Sequence, residues 1–165
     1  MQQARSVPAW IGFAVRLAAA AVWLVAGIAK LPAIESFRVE VERYLILPHA
    51  LALPFAYVLP FFEIGLGLYL AAGLFVRGSA LAGTLLMAVF VAAQAQAWAR
   101  GLSIDCGCFG SLSQARVGIT TVLRDFALGI PTFIMLARPS RLLSLDKLLF
   151  RREDRFAGAS DAGSR

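Results

Sequence analysis

Four apolar runs, each near the length of a membrane crossing, leave this chain few folds to choose from. They extend over residues 10–31, 51–76, 79–99 and 117–137. About 20 helical residues at 1.5 Å per residue cross the roughly 30 Å of hydrocarbon in a bilayer. A segment of that length in lipid satisfies its own backbone polar groups only as a helix. The expected fold is therefore all-α, a polytopic membrane bundle of four helices. Composition agrees: 59% of the 165 residues are apolar and 16% are charged, against about 45–50% and about 25% in soluble domains. The first run is interrupted only by Arg16 and Lys30. It exceeds the apolar core of about 7–15 residues in a cleaved signal peptide, and so reads as a retained span.

One domain is expected over residues 1–137, with a basic tail over 138–165. The tail stretch RPSRLLSLDKLLFRRED mixes Leu and Phe with basic residues, a pattern suited to an amphipathic helix on an anionic leaflet. The final FAGASDAGSR reads as solvated and disordered. Residues 32–50 are punctuated by Pro32 and Pro48 and leave room for a short amphipathic helix. Arg77-Gly78 is expected to make the turn between the second and third spans. Small residues at four-residue spacing, Gly67/Ala71 and Ser79/Gly83, would let helices approach closely.

The net charge of +6 does not imply nucleic acid, because the basic residues form no stripe with interleaved aromatics. They flank the apolar runs instead, which points to lipid as the partner. Four spans put both termini on one side, with Arg5, Arg77 and seven basic residues of the tail. The other side holds Lys30, Arg38, Arg43, Arg100 and Arg116. Positive charge stays cytoplasmic, so both termini are expected inside a bacterial cytoplasmic membrane, with the loop over residues 100–116 outside.

That loop holds the whole thiol inventory, Cys106-Gly107-Cys108. Two thiols around one glycine can close a small ring, since glycine offers no side chain to obstruct the turn. So tight a disulfide departs from relaxed geometry and exchanges readily. The alternatives are a static disulfide, Cu(I) held by two thiolates, and inert small residues at a helix entrance. No metal site is assigned, because two cysteines do not complete a zinc site. The order of the string turns Cys106 toward solvent and Cys108 toward the fourth span.

The extended string RGLSIDCGCFG over residues 100–110, together with VAGIAKL over 25–31, Leu59-Pro60, Glu63-Ile64-Gly65 and Arg124-Asp125, resembles the MauE branch of the DoxX/MauE family. The resemblance covers roughly residues 16–137. It implies a four-helix membrane protein of redox chemistry, DoxX-like and similar in fold to the core of vitamin K epoxide reductase. Members of the methylamine-utilisation branch are linked to maturation of the disulfide-rich small subunit of methylamine dehydrogenase, and DoxX relatives to quinone-coupled sulfur oxidation. For this chain it implies Cys106 and Cys108 as exchanging thiols, supported by Arg100, Asp105, Gly107 and Phe109. The implied partners are an extracytoplasmic thioredoxin-like or disulfide-containing client and a quinone as second carrier. The family's fold relative uses Cys-x-x-Cys where this chain has Cys-x-Cys. The rival functions are a scaffold subunit of an oxidoreductase and a metal-handling or transport protein.

Charges within the spans form a second constellation, since such groups face the bundle interior and pair. With helices starting at Pro54 and Val117, Glu63 and Arg124 fall at depths of roughly 14 and 10 Å. An ion pair between them is expected, with Asp125 as an alternative acid. Arg16 is expected to snorkel toward the inner face. Lys30 is placed at the outer end of the first span, either near the cysteines, favouring a thiolate, or as an interface anchor. His49, the only histidine, is assigned no chemistry.

Overall fold

The computed structural model describes residues 9–107 and 115–137. Helix α1 (Ala9–Lys30) runs through a 3-10 turn at Leu31–Ala33 into α2 (Ile34–Arg43), and α3 (His49–Ala72), α4 (Val76–Ala99) and α5 (Ile119–Ala137) follow. Four helical segments are long and apolar enough to span a membrane, the first being α1 continued into α2. Among the described residues there is no sheet, only an isolated antiparallel bridge between Asp105 and Arg116. The protein is a multi-pass membrane protein of all-α fold. The basic tail expected beyond residue 137 lies outside the described residues.

Helix α1 is the centre of the bundle, packed on α3 and α5, while α4 packs on α5. Its buried face carries Ala19, Ala20 and Trp23, which meet Leu66 and Leu70 of α3. Both small-residue pairs lie at close contacts. A Cβ on Gly67 would stand 2.6 Å from Leu24 Cγ, and one on Gly83 would stand 2.9 Å from Thr132 Cγ2 and 3.1 Å from Trp23 Nε1. Trp23 Nε1 donates to Thr132 Oγ1 at 3.1 Å, which joins α1 to α5 beside Gly83 of α4. No more than 39% of the apolar window of any span is buried. The remainder, including Val58, Phe61, Leu85, Phe126 and Phe133, is apolar surface that lipid must cover.

Two boundaries depart from the expectation, for local reasons. The turn between α3 and α4 falls at Gly73–Phe75, not at Arg77-Gly78, which lie in the first turn of α4. Gly73 has φ +70°, and the N–H groups of Gly73 and Leu74 donate to the carbonyls of Leu70 and Tyr69. That paired closure ends a helix where a residue enters the left-handed region, which glycine does without a Cβ clash. At the other end α3 begins at His49 directly after Pro48, five residues before Pro54. A proline fixes the entry without costing an intrahelical bond, so the helix starts earlier than the apolar run does.

Candidate functional site

The cysteine loop leaves α4 at Arg100, whose side chain is exposed, and turns at Gly101. It is drawn back by two backbone bonds, Cys106 N–H to Ala115 C=O at 2.9 Å and Val117 N–H to Ile104 C=O at 2.8 Å. Those bonds bracket the segment that includes Cys108. Asp105 is half-buried at the bridge, and Cys106 is only 5% exposed. Gly107 has φ +67°, a backbone state that carries a strain cost in any residue with a Cβ. Beneath it lies α2: Phe37 and Glu40 lie under Gly107, and the Tyr44 hydroxyl donates to the Cys106 carbonyl at 3.2 Å. Cys108 and Phe109 lie outside the described residues.

The sulfur of Cys106 faces inward, toward α5. Its Sγ lies 3.4 Å from Asp125 Oδ2, and Arg124 Nη2 lies 3.6 Å from the same sulfur. Arg124 Nε donates to Asp125 Oδ1 at 2.8 Å, and Gln94 Nε2 of α4 donates to Oδ2 at 2.7 Å. A thiol, a carboxylate that can take its proton, a guanidinium beside the sulfur and an amide on the carboxylate are thus assembled from one loop and two helices. This corrects the expected orientation, in which Cys106 faced solvent. The bridge at Asp105 and Arg116 pulls the loop over the bundle's end, and the sulfur points to the polar groups waiting there.

The expected Glu63–Arg124 pair does not form; Glu63 pairs with Lys30. Lys30 Nζ lies 2.9 and 2.8 Å from the two Glu63 carboxylate oxygens and 3.3 Å from the Ala26 carbonyl. Both side chains are shut away from solvent, at 0% and 1% exposure. The physical reason is the helix register. From His49, Glu63 lies about 21 Å along α3, whereas Arg124 lies only about 8 Å along α5 from Ile119. Lys30 ends α1 at the depth of Glu63, because α2 carries the chain onward past it. Lys30 is therefore not a surface anchor; the rings of Phe37 and Phe90 flank its ammonium at 5.5 and 5.8 Å. Arg16 does not snorkel either. It is 1% exposed, with its guanidinium 5.1 Å from the centre of the Phe13 ring. His49 opens α3, its Nδ1 3.1 Å from Glu42 Oε1.

Two cavities adjoin these groups. One, of about 160 Å³, is walled by Phe37 and Val41 of α2, Tyr44 just beyond it, Phe55 of α3, and Phe90 and Gln94 of α4, and it ends on Cys106. The other, of about 20 Å³, is lined by both Glu63 and Asp125. Sequence reasoning missed Gln94 and Tyr44. A signal existed for Gln94, since an amide inside a charge-free apolar run needs a buried partner. None existed for Tyr44, which depends on how α2 folds over the loop.

The family described as "Methylamine utilisation protein MauE" has a sequence model that matches residues 8–138. Searches of curated proteins and of solved structures found no match.

Proposed function

The chain belongs to the MauE family, membrane proteins of methylamine utilisation, and from that premise we propose that it is a thiol–disulfide exchange protein acting through Cys106 and Cys108. The observation that carries this reading is the setting of the Cys106 sulfur, 3.4 Å from a carboxylate and 3.6 Å from a guanidinium. Exchange requires a thiolate, which a neighbouring cation and a proton acceptor promote. Ala97, Ile104 and Val117 also pack around Cys106, so the two polar contacts at its sulfur are what set it apart from an inert buried thiol. In this reading Asp125 takes the proton as the sulfur attacks, and Arg124 holds the resulting anion. Gln94 and Arg124 orient Asp125, and Tyr44 fixes the backbone that carries the sulfur. Arg100, Asp105 and Gly107 shape the loop.

The cysteines work on the extracytoplasmic side, with both termini in the cytoplasm and a basic tail along the inner leaflet. Their client is a disulfide-containing or thioredoxin-like protein, in the manner of the small subunit of methylamine dehydrogenase. The DoxX-like kinship of the fold belongs to the same proposal. A membrane quinone is the candidate second carrier. The apolar cavity ending on Cys106 fits such a group, with Phe37, Phe55 and Phe90 against a ring and Gln94 at the polar end. When bound, a quinone accepts the two electrons and two protons released as a dithiol closes.

An alkylation gel shift on membranes, with and without prior reduction, tests the reading. A band that shifts by two alkyl groups only after reduction supports a reversible disulfide. A band that shifts fully without reduction, or never, favours a scaffold or metal-handling role.

A further inference from the structure

Cys106 is covered where the loop meets the end of the bundle. Ala97, Ile104 and Val117 pack around it, with Tyr44 and Leu102 beside them. Its backbone is fastened to the Ala115 carbonyl and to the Tyr44 hydroxyl. The cavity of about 160 Å³ leads from it in another direction, between α2, α3 and α4. Along the lining, exposure rises from 1% at Gln94 and 5% at Cys106 to 49% at Ile46 and 60% at Val89. The cavity thus has its deep end at the thiol and its mouth at Ile46 and Val89. Val89 lies near the middle of α4, about 15 Å along the helix from Ala99, so the mouth reaches the depth of the hydrocarbon. The space exists because α3 packs mainly on α1 and α4 mainly on α5. Between them a gap remains, lined by Phe55 of α3 and Phe90 of α4.

We propose that Cys106 is reached sideways from the lipid, through the mouth at Ile46 and Val89, by a membrane-dissolved molecule bearing one ring-sized apolar group. The inference rests on the exchange reading and names the class of molecule that meets this thiol. Size sets the first limit. An apolar cavity of about 150 Å³ takes one benzene ring, and the space here is of that order. The lining sets the second. Its walls are aliphatic and aromatic, with the Gln94 amide and the thiol at the deep end. A charged or strongly polar molecule would lose its hydration along such walls and gain little in return. An extended peptide would leave its backbone N–H and C=O groups without partners there. A protein client therefore does not follow this route, and Cys106 is the thiol that faces the membrane.

The test uses the full chain carrying Cys108→Ser in lipid nanodiscs and two methanethiosulfonates, one benzyl and one trimethylammonioethyl. Both react alike: the thiolate attacks the sulfenyl sulfur, a mixed disulfide forms and methanesulfinate leaves. They differ in whether they enter an apolar space. The control is Ser103→Cys on a chain carrying Cys106→Ser and Cys108→Ser, since Ser103 is exposed on the same loop. The benzyl-to-ammonium rate ratio at Cys106 should exceed that at the control by about 10–100-fold, the factor by which an apolar site favours one ring-sized group over water. Ala93→Phe, which fills the cavity from α4, should bring the ratio down toward the control value. Equal ratios at Cys106 and at the loop control would overturn the lateral route. So would a monodisperse Ala93→Phe protein with the ratio unmoved. The first comparison needs no cavity variant, so it decides even where Ala93→Phe fails to fold. Neither reagent involves a client, so such a failure leaves exchange standing. Failure of the exchange reading would show instead as no trapped partner in cells, whatever the ratio.

Discussion

Removing one member of the Lys30–Glu63 pair should harm the protein far more than removing both. Each Glu63 oxygen takes a bond from Lys30 Nζ, at 2.9 and 2.8 Å, and neither side chain exceeds 1% exposure. Glu63→Gln leaves an ammonium among Phe37, Phe90 and the Ala26 carbonyl. Lys30→Met leaves a carboxylate with its cation gone. Breaking a buried pair from one side costs about 3–5 kcal/mol, while replacing both partners by groups of similar volume is often neutral or stabilising. Each single variant should therefore lose about 3–5 kcal/mol, and Lys30→Met/Glu63→Gln should fall within about 1–2 kcal/mol of the parent. Reversible unfolding in mixed dodecyl sulfate micelles measures all four proteins on one scale. Strictly additive losses would refute the pairing. So would a single-variant loss below about 1 kcal/mol, the size of an exposed pair.

Three further outcomes follow from the geometry. Asp125→Asn keeps an acceptor oxygen but removes the proton acceptor 3.4 Å from the sulfur; iodoacetamide should alkylate Cys106 about 10²-fold more slowly near neutral pH, and an unchanged rate would dismiss Asp125 as the base. Tyr44→Phe deletes the bond to the Cys106 carbonyl and should cost about 0.5–1.5 kcal/mol in the same unfolding assay, with faster proteolysis of the loop as the local readout. Gly67→Leu forces a side chain into Leu24 and the Ala20 carbonyl and should lower the folded yield sharply, whereas Gly65→Leu, with open space at its Cβ, should not.

The spans were legible because length and apolarity alone decide what crosses lipid, and the observed helix ends differ from the expected ones by a few residues. Those few residues were enough to misassign the charges. Starting α3 at Pro54 rather than His49 raised Glu63 to the depth of Arg124, and nothing in the sequence placed Lys30 deep in the bundle. The ion pair was expected, but its partner depends on how two antiparallel helices register. The cysteine motif and the Arg124-Asp125 pair were both visible in sequence, on separate elements. Their meeting depends on the bridge between Asp105 and Arg116, which is set by backbone bonds that leave no side-chain pattern. Gln94 and Tyr44 complete the site from faces that hydropathy does not distinguish.

Trapping a partner in living cells is the most direct measurement of whether these thiols exchange. Exchange proceeds through a mixed disulfide, and removing the resolving thiol preserves it. In membranes from cells that express Cys106→Ser or Cys108→Ser, one variant should carry a covalent adduct that a non-reducing gel resolves and dithiothreitol releases. The other should be inactive without an adduct, and an impermeant maleimide should reach the remaining loop thiol in intact spheroplasts after mild reduction. Normal oxidation of extracytoplasmic clients in both variants, with no adduct in either, would contradict exchange and leave Cys106 and Cys108 a structural role.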